Sequence, residues 1–242
     1  MDRFWISPDH WDEPLAIVGE EARHCSRVMR KKVGDVLEVF DGNGRWARGP
    51  VSSVERERVE LSVEERGRSA PLRPRIEIAV GIPKGKTFDL IIQKAVELGV
   101  NVIHPILSEQ GMVKIPSSDA PKKKEKWERL ALEACKQCGQ NNLPVISLPL
   151  GLSEYLSDSK EQSLKIVGAL LPETLPMKEI LTKDPKCESI TLLVGPEGDF
   201  STAEYQLILE DHFSAVTLGP LVLRVETAVI AMISAVRYQF PD

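Results

Sequence analysis

Three segments in the C-terminal part of the chain combine glycine, proline and charge more densely than a plain connection requires. They are Gly168-Ala169-Leu170-Leu171-Pro172-Glu173, Leu193-Val194-Gly195-Pro196-Glu197-Gly198-Asp199-Phe200 and the longer run from Leu218 to Ala228. Each follows an apolar run that reads as a strand. Open parallel sheets bind ligands just outside the carboxyl ends of their strands, and glycines there let the main chain approach a ligand. Gly195–Gly198 alone also reads as a turn into a helix, because Ser201 and Glu204 form a capping-box pattern directly after it. The third segment asks for more than a turn, since it places Gly219, Pro220, Arg224 and Glu226 just before an apolar helix.

Cys135 and Cys138 have C-x-x-C spacing, which could hold a metal or a redox pair. They lie inside a helical pattern, however, and neither a second C-x-x-C nor an H-x-x-x-H follows. We therefore expect small apolar helix residues there and no metal site. A nucleotide-binding Rossmann enzyme is disfavoured, because no Gly-x-Gly-x-x-Gly follows a strand.

The elements that must position these segments form two patterns. Up to about residue 70 the chain reads as short strands and turns: Val36–Phe40, the tight turn Asp41–Gly44, alternating Val59–Val63, and one helix over Glu20–Met29. This predicts a small β-barrel. Gly67–Pro74 is a polar, proline-bearing joint and the expected domain boundary. Beyond it, strands at Ile76–Ile82, Val102–Leu107, Leu164–Leu171, Ser189–Val194 and Ala215–Leu218 alternate with helices. Those helices cover Thr87–Leu98 and Pro121–Cys138, the second with a stripe of Trp127, Leu130, Ala134 and Cys138. Apolar strands between helices predict an α/β fold with a parallel sheet covered on both faces.

The 242 residues suffice for one large domain or two modest ones. A charge of −5 and an aromatic content of 5% do not advertise nucleic-acid binding, although binding follows local patches rather than net charge. The N-terminus lacks the apolar run of a signal peptide, and no stretch is long and uncharged enough to span a bilayer. With four cysteines in no disulfide framework, the expectation is a reducing, cytoplasmic compartment and no membrane partner.

The glycine-rich segments resemble the SPOUT class of methyltransferases, and within it the family that methylates N3 of a uridine in 16S ribosomal RNA (the RsmE family). Gly195-Pro196-Glu197-Gly198 and Leu223-Arg224-x-Glu226-Thr227-Ala228 are the most specific marks. Lys84–Leu98 with Gly99, Glu133–Gly139, His24…Val28-Met29-Arg30…Gly34-Asp35 and Asp41-Gly42-x-Gly44 extend the likeness over nearly the whole chain.

The resemblance implies an α/β knot at residues 74–242, a parallel sheet with a C-terminal trefoil knot, preceded by a PUA-like RNA-binding β-barrel at residues 1–70. It implies S-adenosyl-L-methionine as cofactor, held without metal by Leu170, Leu171, Gly195, Pro196, Glu197, Gly198, Leu218, Gly219, Leu223, Thr227 and Ala228. The partners it implies are the 16S RNA of the small ribosomal subunit and a second copy of the chain, as a homodimer. Arg224 is then the candidate cation that steadies charge on the uracil, with a plain salt bridge to Glu226 or Glu197 as the alternative. Glu197 and Glu226 are candidates to orient Arg224 or to take the N3 proton. Arg23, Arg27, Arg30, Lys31, Lys32 and Arg45 are candidate RNA contacts, against the alternative of a solvated charged face.

The chain departs from the family pattern at Gln110-Gly111, where an arginine and a small polar residue are usual. It departs also at Gln140 and Leu221, which replace arginines, and at Asp199, which replaces a glycine. Two further readings therefore stand beside base methylation: 2′-O-ribose methylation by the same fold, and a non-catalytic RNA-binding or assembly factor.

Overall fold

The computed structural model describes residues 2–157 and 164–241. The chain forms two compact units, one from the N-terminus to Pro71 together with Leu132–Leu143, the other from Leu72–Ala131 and from Pro144 onward.

In the first unit, β1 (Arg3–Trp5), β2 (Ala16–Val18), β3 (Val36–Phe40), β4 (Arg45–Val54), β5 (Arg58–Leu61) and β6 (Glu65–Arg68) share one sheet. The order is β1-β3-β4-β5-β2 with β6 on β4; β1 and β3 run parallel and the other pairings are antiparallel. A register shift between Val51 and Ser53 marks a bulge in β4, which increases local twist. Phe4, Ile17, Leu37, Val39 and Val59 fill the core. Residues 132–143 group with this sheet through polar bonds. Arg3 donates 2.7 Å bonds to Glu38 and to the Cys135 carbonyl, and Gly44 N–H donates to the Asn141 carbonyl at 2.9 Å.

The helix expected over Glu20–Met29 is shorter and changes type. α1 (Gly19–Arg23) passes into a π-helical turn over His24–Val28, and Arg30 then reverses the chain at φ 53°. Ser26 Oγ donates to the Ala22 carbonyl at 2.8 Å, the local competition that disturbs a regular helix. The wide turn keeps Cys25 buried.

In the second unit, strands alternate with helices: β7 (Arg75–Gly81), α2 (Thr87–Glu97), β8 (Val102–Leu107), α3 (Ala120–Cys138), β9 (Val145–Ile146), β10 (Leu150–Gly151) and α4 (Leu152–Ser157). Then come β11 (Leu164–Gly168), β12 (Leu175–Pro176), α5 (Met177–Lys183), β13 (Ser189–Val194), α6 (Thr202–Glu210), β14 (Ser214–Thr217) and α7 (Val225–Gln239). Among the described residues the sheet order is β10-β8-β7-β13-β11-β14-β12, with β9 on β8, and every pairing is parallel. The α/β class with a parallel sheet is thus as expected.

β13 is buried from Ile190 to Val194, as a central strand covered on both faces must be. α7 buries Val229, Met232, Ile233 and Val236, each contributing about 1.5–3 kcal/mol relative to exposure. The capping box that opens α6 is formed: Ser201 Oγ accepts from Glu204 N–H at 3.1 Å and the Glu204 carboxylate accepts from Ser201 N–H at 2.8 Å. Glu204 also accepts the Glu109 N–H at 2.9 Å, so it anchors the segment after β8.

The stripe expected on α3 is corrected. Trp127, Ala131, Ala134 and Cys135 are buried, Leu130 is only half-buried, and Cys138 is exposed. The inward row follows i, i+4, i+7, i+8, and its small alanines permit close packing. Burial pushes the Cys135 thiol up to about 12, so it is a neutral apolar group rather than a reactive thiolate. No metal-holding group of three or more His, Cys, Asp or Glu occurs among the described residues. No described helix is long and apolar enough to cross a membrane.

Candidate active site

The three glycine-bearing segments are far apart in sequence but follow β11, β13 and β14, which lie side by side in the order β13-β11-β14. Because all three strands run parallel, their carboxyl ends open on one edge. A cavity of about 500 Å³ lies there, between Gly168–Leu170, Val194–Glu197, Val216–Gly219 and Leu221–Glu226. Gly219 sits at φ 123°, a conformation that only glycine adopts readily, and the chain from there to Arg224 has no regular structure.

Four charged side chains line the cavity: Glu197, Asp199, Arg224 and Glu226. Arg224 is exposed and is the N-cap residue of α7, so its main chain lies at the positive end of that helix. Among the described residues its guanidinium has no ion pair, so no salt bridge ties it to Glu197 or Glu226. Glu197 accepts the Lys84 N–H at 2.9 Å, which links the β13 turn to the loop after β7. Asp199 has φ 59°, the left-handed region where glycine is the usual occupant and aspartate a tolerated one. Its Oδ1 accepts from Phe200 N–H and Tyr205 O–H, both at 2.8 Å. Burial and the Asp199 carboxylate push the Tyr205 hydroxyl well above its usual range, which keeps it protonated.

Of the residues singled out from sequence, Leu170, Gly195, Pro196, Glu197, Leu218, Gly219, Leu223, Arg224, Glu226 and Ala228 line the cavity. Leu171, Gly198 and Thr227 do not: Leu171 packs on the apolar core, Gly198 faces the Gln110 carbonyl, and Thr227 is exposed on α7. Lining residues that sequence reasoning missed include Thr87, Val216, Thr217 and Val222. Thr87 stands just after the β7 loop, and the same carboxyl-edge rule would have found it had the β7–β13 pairing been known.

The candidate RNA contacts lie in the first unit and differ in freedom. Arg45 donates to Asp41 at 2.6 Å and lies over Trp11, so it builds the Asp41–Gly44 turn. Lys31 is paired with Asp2, and Arg23 faces Glu57 at 4.0 Å. Arg27, Arg30 and Lys32 are exposed without a side-chain partner among the described residues. Gln140 turns inward on its own chain, accepting the N–H groups of Asn141 and Asn142 at 3.0 and 3.1 Å.

Residues 70–237 match the family of RNA methyltransferase domains, and residues 17–64 match the RNA methyltransferase PUA domain. The ribosomal RNA small subunit methyltransferase E of Bacillus subtilis is 31% identical over 230 residues, 93% of this chain and 90% of the relative. The protein of that name from Buchnera aphidicola is 32% identical over 234 residues, 96% and 93% of the two chains. Among solved structures, the Neisseria gonorrhoeae ribosomal RNA small subunit methyltransferase E bound to S-adenosyl methionine gives a TM-score of 0.88 at 28% identity, covering 99% of this chain and 98% of that one. A Legionella pneumophila protein in complex with the bound cofactor SAM gives 0.84 at 29% identity, covering 98% and 96%. The chain belongs to the RNA methyltransferase family whose relatives are named ribosomal RNA small subunit methyltransferase E.

Proposed function

We propose that this protein methylates N3 of a uridine in the 16S RNA of the small ribosomal subunit, using S-adenosyl-L-methionine, in the cytoplasm and without a metal. The observation that carries this reading is the convergence of three glycine-bearing segments from adjacent parallel strands on one cavity, in a chain of this family. The reading includes a PUA-like β-barrel over residues 1–70 for RNA binding, and a catalytic domain over residues 74–242 with a C-terminal trefoil knot. It includes a homodimer, the partner that the family resemblance implies.

The cavity fits the cofactor in chemistry as well as in size. Main-chain groups of Gly195, Leu218, Gly219 and Leu223 can hold polar edges, the side chains of Leu170 and Leu223 can cover flat apolar surface, and three carboxylates suit a cation. When bound, S-adenosyl-L-methionine supplies a methyl group activated by its sulfonium. The protein's own task is to position the uridine and manage its N3 proton. Arg224, unpaired and exposed at the cavity, steadies negative charge developing on the uracil, reinforced by the N-terminus of α7. Glu226 and Glu197 are the carboxylates within the site that can take the N3 proton; Glu197 is held in place by Lys84 N–H.

Calorimetry on the full chain in the presence of a chelator, followed by methyl transfer to assembled small subunits, tests the proposal. Cofactor binding without a divalent ion and a methyl group on uracil N3 are expected. A methylated ribose would support the 2′-O alternative, and cofactor binding without transfer would support a non-catalytic factor.

A further inference from the structure

The family pattern has a glycine where this chain has Asp199, and the structure gives that aspartate a built environment. Its backbone is left-handed at φ 59° and its side chain lines the cavity. Oδ1 is held from two directions, by Phe200 N–H and by Tyr205 O–H, each at 2.8 Å. One phenol, carried by α6, therefore holds the carboxylate of the β13 segment in place. Oδ2 has no partner among the described residues. A fixed carboxylate with one free oxygen is a device for binding a ligand's positive charge. It adds to a cavity whose other charged walls, Glu197, Glu226 and Arg224, already leave a negative balance.

We propose that Asp199, positioned by Tyr205, is a cofactor-recognition residue that makes this site prefer the cationic sulfonium of S-adenosylmethionine over the neutral thioether left after methyl transfer. The inference rests on the cofactor reading above. Attraction between a carboxylate and a sulfonium acts only on the charged form, so Asp199 strengthens cofactor capture without equally strengthening product retention. A glycine at this position offers no such discrimination. If Asp199 merely braced the turn, both ligands would depend on it alike.

The test is calorimetric titration of the full chain with S-adenosylmethionine and, separately, with S-adenosylhomocysteine. Wild type, Asp199→Asn, Asp199→Gly and Tyr205→Phe are compared. Asparagine and glycine both tolerate the left-handed backbone, so these variants should fold, and asparagine retains an acceptor for Tyr205 while losing the charge. Asp199→Asn is expected to weaken S-adenosylmethionine about tenfold and S-adenosylhomocysteine less than about twofold. Asp199→Gly should match it, and Tyr205→Phe should shift the same ratio by a smaller factor. Equal loss for both ligands, or no loss in the aspartate variants, would overturn the inference while leaving the cofactor reading intact. Failure of wild type to bind either ligand would overturn both.

Discussion

A Cβ placed on Gly81 would lie 2.5 Å from both the nitrogen and Cδ of Pro196, so the end of β7 and the Gly-Pro turn after β13 meet with no room for a side chain. Gly81→Ala must displace that turn, whose Pro196 lines the cavity. We predict a stability loss of about 1–3 kcal/mol in urea denaturation, accompanied by weaker cofactor binding. Unchanged binding together with unchanged stability would show that the contact relaxes freely.

Arg224 lines the cavity without an ion pair, and the proposed mechanism has it steady charge developing on the base. Arg224→Ala should lower kcat by on the order of 10²-fold while cofactor affinity, read by calorimetry, stays within about threefold. The opposite split, near-normal turnover with weak cofactor binding, would assign the arginine to the cofactor instead.

Away from the cavity, Glu77 accepts from His104 at 3.2 Å and from Arg75 at 2.9 Å. These bonds, His104 foremost, hold its carboxyl down at about 2 against an ordinary 4.5. A carboxylate depressed on folding contributes stability that is fully present above the ordinary value and is lost as pH falls toward the folded one. Glu77→Gln should therefore cost on the order of 2 kcal/mol at neutral pH and progressively less between pH 4.5 and 2. Acid titrations of chemical stability check this, and a pH-independent difference would contradict it.

The parts of the fold that depend on local chemistry were legible in the sequence. The strand at Ser189–Val194 and the capping box at Ser201 and Glu204 are read from a few consecutive residues, and both are present. The π-helical turn at His24–Val28 was not legible, because it turns on one hydroxyl bond from Ser26 and on the left-handed Arg30. Nor was the grouping of residues 132–143 with the first sheet, which depends on bonds such as Arg3 to Cys135, 132 positions apart. At the cavity, glycine and proline marked the three segments, but membership of Thr87 and Thr217 follows from strand order, a non-local property. Asp199 was visible only as a departure from pattern; its bond to Tyr205 requires the backbone to be left-handed first.

The proposed RNA contact of the first unit is best tested at its cations that lack a side-chain partner. With Lys31 on Asp2, Arg45 on Asp41 and Arg23 facing Glu57, the exposed cations without a side-chain partner among the described residues are Arg27, Arg30 and Lys32. Replacing these three with alanine should leave cofactor affinity unchanged and reduce methylation of small subunits about tenfold or more, most clearly at raised salt. An unaffected triple variant would move RNA recognition elsewhere on the chain.

The central claim is tested most directly by mapping methylated uridines in 16S RNA from a strain lacking this protein, by mass spectrometry of the small-subunit RNA. One N3-methyluridine should be missing there. It should return when wild type is added to the isolated subunits with S-adenosylmethionine, and fail to return with Arg224→Ala. An unchanged set of N3-methyluridines in the deletion strain, or loss of a ribose methyl group instead, would contradict the account.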